Sequence, residues 1–272
     1  MSFRKFRGDR QQRSSKISRL PFTEEGSEQA ARDLIQELKS MSPTQYMNYL
    51  SGLNQGEKTQ IAQLIWSVRW IDSHNSLEEF AKYVVTRDEH APPEHSEKPF
   101  PTRVQKPYIW EFLDTIQGDQ GLYACEKSRQ LMVTWAMCLY CLWVAKFQRN
   151  RIIFVQSKKE LDAANLVFNT ETSAARISFM ETKLPEMLKN EVAWSYGKAV
   201  FDTGSWIWGI PEGGDQIRSY TVSLLFSDEF AFQPEGEQAW AAANASVKRG
   251  GKIVIVSSAN ASAYMKQLID RV

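Results

Sequence analysis

Two adjacent carboxylates, Asp228 and Glu229, follow the apolar run Leu224-Leu225-Phe226-Ser227. A strand that delivers an acidic pair at its C-terminal end puts both at the edge of an open α/β sheet where ligands bind. Such a pair suits nucleotide hydrolysis: Asp228 can hold Mg²⁺ through its water shell while Glu229 orients and polarises the attacking water. The alternative is an ordinary strand running into a helix, because acids favour helix N-termini. A second candidate is the loop EKSRQLMVT, residues 126–134. Its backbone amides and the following helix N-terminus can supply the partial positive charge that an anion needs. Against the pattern GxxxxGK[ST] it keeps only Thr134, with Met132 and Val133 where Gly and Lys would stand. A third is KIVIVSSAN, an apolar strand ending in Ser257, Ser258, Ala259 and Asn260. Small polar residues there can hydrogen-bond a γ-phosphate or its water and move when the phosphate leaves. Each of the three also has a plain structural reading as a turn or an element end. Together, in the order basic loop, acidic pair and small polar cluster, they coincide by chance far less often than any one does.

The elements that must position these residues alternate between strand and helix. Residues 121–125 (GLYAC) form a short apolar run, 134–147 an apolar helix, 151–155 (RIIFV) a β-branched strand and 158–167 a helix-like stretch. Further strands are expected at 193–196, 199–201, 206–210, 222–226 and 253–257. That alternation argues for a parallel sheet with helices on both faces. Upstream, residues 28–38, 43–50, 57–70 and 77–84 space their apolar positions by three and four, the mark of short amphipathic helices. The expected organisation is a basic arm over residues 1–20, a small helical unit over 21–90, a turn-rich polar linker over 91–107 and an α/β domain over 108–272.

At 272 residues, two domains are the natural expectation. With 43% hydrophobic and 24% charged residues the composition is that of a soluble globular chain, and no window approaches the roughly 18 apolar residues of a membrane span. No membrane association is expected. The opening residues MSFRKFRGDR lack the apolar core of a secretory signal, which points to the cytoplasm. Cys125, Cys138 and Cys141 make no even framework, and the three histidines, His74, His90 and His95, lack ligand spacing. Buried reduced thiols are expected rather than a zinc site. Net charge is +1, yet residues 1–19 hold seven Lys or Arg against Asp9 alone, so the arm carries +6 and the remainder −5. Such an arm suits contact with nucleic acid or an acidic surface, or is simply a solvated tail.

Read in sequence, SRQLMVTW, IPEGGDQIRSYTVSLLFSDEFAF and IVIVSSANASAYM resemble the ATPase motifs of the large terminase subunits of tailed phages, over roughly residues 100–272. The resemblance implies a P-loop NTPase fold of the ASCE type, a mostly parallel sheet flanked by helices, binding ATP and Mg²⁺. It implies that the phosphate loop comprises Lys127, Ser128, Gln130, Leu131, Met132, Val133 and Thr134, with Lys127 standing in the early lysine position of some members. It further implies Thr134 and Asp228 on the metal, Glu229 as the catalytic carboxylate, Arg129 near the γ-phosphate and Ser257 to Asn260 as the coupling segment. Arg218, ten residues before Asp228, stands where related motors offer an arginine to a neighbouring subunit; otherwise it is an exposed loop arginine. Tyr108 and Trp110 of KPYIWEFLD either stack on the adenine or pack into the core.

By the same resemblance the chain is expected to drive double-stranded DNA into a procapsid in the host cytoplasm, as a homo-oligomeric ring with portal protein and small terminase subunit as partners. Large terminases continue into a nuclease for which residues 1–272 leave no room, so DNA cleavage is not expected of this chain. Two rivals stand beside this reading. One is another DNA-dependent P-loop translocase or helicase-like ATPase; the other is a non-catalytic nucleic-acid-binding packaging component.

Overall fold

The computed structural model describes residues 25–88, 91–118, 121–172, 175–247, 250–260 and 263–270. The basic arm lies outside these residues. The chain divides into two compact units between Glu79 and Phe80.

The first unit is helical. Helices α1 (Glu25–Ser40), α2 (Pro43–Gly52) and α3 (Gln55–Asn75) arise where the three- and four-residue spacing expects them. Their starts are encoded locally. Ser42 and Gln45 form a capping box on α2, with Pro43 in its first turn, and Asn54 with Glu57 form another on α3. Arg32 of α1 reaches Asp72 of α3 at 2.8 Å. Helix α4 (Leu77–Ala81) crosses the division.

The second unit begins with a pair of short antiparallel strands, β1 (Val85–Arg87) and β2 (Glu97–Pro99). Residues 91–107, which the sequence suggests as a linker, therefore include a strand whose partner β1 lies outside that stretch. Helix α5 (Pro107–Gln117) leads to β3 (Leu122–Lys127), α6 (Val133–Phe147), β4 (Ile152–Gln156), α7 (Glu160–Val167) and α8 (Arg176–Lys183). Then follow β5 (Val192–Ser195), β6 (Lys198–Phe201), β7 (Trp206–Ile210), α9 (Asp215–Arg218), β8 (Leu224–Asp228), α10 (Gly236–Val247), β9 (Lys252–Ser258) and α11 (Ala263–Ile269).

Seven strands make one sheet in the order β3-β9-β8-β4-β7-β6-β5. The first five are mutually parallel, as expected. The last two are not: β5, β6 and β7 pair antiparallel. The reason is the length of their connections. Tyr196 and Gly197 alone join β5 to β6, and a parallel pair needs a crossover of a dozen or more residues. Gly197 takes φ +65° in that turn, a conformation glycine adopts at little cost. The strand expected at 222–226 starts two residues later, so that Ser227 and Asp228 complete β8 rather than follow it.

Helix α6 is buried on nearly every side, which explains its unbroken apolar sequence. Its one buried charge, Lys146, is met by Glu181 of α8 at 3.0 Å and by Asn190. On one face of the sheet Phe154, Leu225, Ile253 and Ile255 pack with residues of α9, α10 and α11. Among the described residues no helix is long and apolar enough to cross a membrane.

Candidate functional site

The parallel register brings three strand ends to one edge. Lys127 at the end of β3 lies opposite Ser258 of β9, while Asp228 at the end of β8 lies opposite Val256 of the same strand. Strand β9, between β3 and β8, therefore spaces the loop from the acidic pair. A cavity of about 1470 Å³ opens at this edge, lined among others by Lys127, Arg129, Gln130, Leu131, Met132, Val133, Thr134, Asp228, Glu229 and Ser258.

Hydrogen bonds join the three motifs directly. Lys127 Nζ donates to Glu229 Oε1 at 3.0 Å. Thr134 Oγ1 donates to Asp228 Oδ1 at 3.1 Å. Ser258 donates twice to Glu229 Oε2, from Oγ at 2.8 Å and from its amide at 3.2 Å. Behind them, Gln233 Nε2 donates to the Asp228 carbonyl oxygen and to Ser227 Oγ, which in turn donates to Gln156 Oε1. These buried bonds fix the turn after β8, where Glu229 takes φ +49°. A non-glycine residue held in that region costs on the order of 1–3 kcal/mol and persists only where its surroundings enforce it.

The loop is organised by its backbone. Gln130 and Met132 both take positive φ, +65° and +58°, and Met132 is the N-cap of α6 without a side-chain cap bond. The first-turn amides of α6 are thus available to an anion. The glycine of the usual pattern stands where Met132 bends into the left-handed region, so methionine has taken over a conformation that glycine adopts more cheaply.

Electrostatics separate the two carboxylates. Burial pushes Asp228 up to about 6, with the neighbouring Glu229 adding to the rise, against the opposing pull of Lys127, Arg176 and the Thr134 hydrogen bond. For Glu229 partial burial acts upward as well, but the hydrogen bonds from Ser258 and Lys127 outweigh it and hold the group below its ordinary value. Glu229 is therefore ionised at neutral pH. Asp228 is a buried carboxylate whose charge calls for a cation. A metal-bound triphosphate fits this donor set in three respects: amides and cations for phosphate oxygens, a hydroxyl beside a carboxylate for Mg²⁺, and a cavity of sufficient size.

Several expected residues stand elsewhere. Among the described residues, those lining the cavity do not include Tyr108 or Trp110. Tyr108 is exposed at the start of α5, and Trp110 is 2% exposed, its indole donating to the Pro101 carbonyl. Its packing against Phe100 and Arg103 matches the core alternative of the sequence reading. Arg218 is exposed in α9, 3.2 Å from Asp215, and outside the cavity. Ser128, within the loop, is exposed and is not among the residues that line the cavity. Ser257 accepts the Ala231 amide, and Asn260 donates to the Ala231 carbonyl, so both tie β9 to the turn after Glu229. Ala259 follows Ser258 at the exposed end of that strand. Cys138 and Cys141 are buried thiols in α6, while Cys125 is half-buried on β3.

The structure also adds residues that the motifs do not mark. Arg87, Lys106, Lys158 and Arg176 bring further positive charge to the cavity, and Lys106 Nζ lies 3.1 Å from Met132 Sδ. Gln156 had a visible signal, a polar residue closing the apolar strand IIFVQ. The four cations had none, since lone basic residues at helix and strand ends are common surface features.

The fold is a seven-stranded, mostly parallel sheet between helices with the basic loop, acidic pair and polar cluster at one edge. Solved structures of similar fold include phage large terminases. The large terminase of bacteriophage HK97 aligns with a TM-score of 0.54 and 14% identity, over 73% of this chain and 40% of that one. The ATPase domain of the Thermus phage P74-26 large terminase aligns with a TM-score of 0.44 and 16% identity, over 57% of this chain and 66% of that one. A large terminase from a thermophilic bacteriophage, solved in complex with ADP, aligns with a TM-score of 0.41 and 17% identity, over 57% of this chain and 37% of that one. The chain thus spans only part of each of these proteins, and the likeness is one of fold. No protein-family model matches the sequence.

Proposed function

We propose that this chain is an ATP-hydrolysing motor domain of a phage DNA-packaging enzyme. The observation that supports it most is the single hydrogen-bonded set Lys127–Glu229–Ser258 with Thr134–Asp228, drawn from three strand ends onto one cavity. ATP with Mg²⁺ supplies the phosphoanhydride bond and the metal charge for phosphoryl transfer to water. Thr134 Oγ1 would ligate the ion and Asp228 would hold it through water. The amides of residues 130–134 and the Lys127 ammonium carry the phosphate oxygens. Lys127 then exchanges its carboxylate partner for phosphate, which leaves Glu229 to orient the attacking water and accept its proton. Arg129 adds positive charge at the loop's exposed side. Ser258 keeps Glu229 in register with β9, so a change at the carboxylate reaches the segment Ser257–Ser258–Ala259–Asn260.

In the assembled motor Arg218, exposed and away from its own cavity, serves the neighbouring subunit of a homo-oligomeric ring. Double-stranded DNA, portal protein and small terminase subunit are the partners of that ring, in the host cytoplasm. The test is steady-state ATP turnover of the assembled, DNA-supplied complex, comparing wild type with Glu229→Gln and Lys127→Ala. Both variants are expected to lose turnover; wild-type rates in both would overturn the catalytic assignment.

A further inference from the structure

The cavity holds a cation that none of the motifs accounts for. Arg176 is the first residue of α8 and lines the cavity together with Lys127, Thr134 and Asp228. Its guanidinium lies 5.5 Å from the ring centroid of Trp135, in the first turn of α6. Helices α6 and α8 pack together, so this contact holds the arginine against the start of the helix that follows the phosphate loop. Its charge acts on Asp228 and on Cys138 of α6. Arg176 thus approaches the acidic strand end from α8, a route separate from the loop.

The loop itself is short of charge where the usual pattern has it. Val133, 5% exposed, stands in the place of the lysine before Thr134. Lys127 is the early lysine, and it faces Glu229. A triphosphate keeps net negative charge even with one divalent ion bound, and a guanidinium answers that charge with paired donors that match phosphate oxygens.

We propose that Arg176 is a phosphate-binding residue of this site, contacting the terminal phosphate of a bound nucleoside triphosphate from within the same chain, beside Asp228. The inference rests on the nucleotide reading given above. It assigns to Arg176 a task distinct from that of Arg218: one cation serves the chain's own nucleotide, the other a neighbour's.

The experiment is titration calorimetry of the full chain in Mg²⁺, with ADP and with a non-hydrolysable ATP analogue. Wild type is expected to bind both. R176Q is expected to weaken the triphosphate about tenfold more than the diphosphate, and R176K to recover part of that difference, because lysine keeps the charge and loses the fork. A residue that only supports the fold lowers both affinities alike. Equal losses for the two nucleotides, or an unchanged triphosphate affinity, would overturn the inference. Should R176Q fail to fold, R176K decides: a shift of the ratio toward the diphosphate supports it, and an unchanged ratio overturns it. Wild type that binds neither nucleotide overturns the nucleotide reading and this inference with it, a result separable from any confined to the variants.

Discussion

The loop after β3 and the acidic end of β8 meet through bonds of 3.0 and 3.1 Å, yet they are built on opposite terms. Strand β3 lies at the sheet edge with its residues alternately exposed and half-buried, and the loop beyond it carries two non-glycine residues at positive φ. Strand β8 is buried at every position, and its acidic pair is held by bonds from Gln233, Thr134, Lys127 and Ser258. An anion site made of backbone amides tolerates many side chains, so long as the chain bends correctly. Proton transfer and metal binding tolerate few, because they depend on the side chain itself. On the nucleotide reading proposed above, one wall of the cavity is expected to tolerate substitution and the other is not.

The sharpest way to break this contrast is Glu229→Gln. General-base assistance is worth about 10²- to 10⁴-fold in rate, so turnover is expected to fall by that range while nucleotide affinity stays within a few-fold. A loss of affinity instead of rate would make the acidic wall a binding wall.

Next is Asp228→Asn, read by thermal unfolding of the metal- and nucleotide-free protein. Asp228 titrates at about 6 when folded against a reference of 3.8, so the protonated form is favoured in the folded state. The stability this gives is fully present below the unfolded value and is lost as pH rises through about 6. Asparagine cannot ionise, and at pH 7 to 8 it is expected to be more stable than wild type by about 3 kcal/mol, shrinking toward zero near pH 4. An asparagine variant less stable than wild type at pH 8 would contradict the burial argument.

Lys127→Ala tests a side chain that the tolerant wall is not expected to spare. Charge-assisted hydrogen bonds contribute about 1.5–3 kcal/mol, so nucleotide affinity in a binding titration is expected to drop roughly ten- to a hundredfold. Smallest is Met132→Gly. Relief of the left-handed backbone, about 1–2 kcal/mol, is largely offset by the entropy of a freer unfolded chain. Stability is expected to rise by no more than about 1 kcal/mol, with nucleotide affinity kept; a loss of binding would mean that the methionine side chain matters.

What is legible from the residues follows the same divide. The parallel core and the trio of strand ends can be read because β-branched runs, an acidic pair and a small polar cluster are side-chain signals. The antiparallel edge is less visible, since the two-residue turn at Tyr196 and Gly197 and the pairing of β5 with β6 are matters of connection length. Trp110 carries an ambiguous signal, an aromatic residue that serves a purine or a core equally well, and here it packs against Phe100. Arg176 carries no signal at all. Only the tertiary packing of α8 on α6 brings this arginine, far from both motifs in sequence, into a shared cavity with them.

The most direct test of the account is a crystal structure of the chain with Mg²⁺ and a non-hydrolysable ATP analogue. The expected density has phosphates on the amides of residues 130–134, the ion about 2.0–2.1 Å from Thr134 Oγ1, and Lys127 moved from Glu229 to phosphate. A nucleotide bound away from this strand edge, or Lys127 still paired with Glu229 beside a bound triphosphate, would contradict it.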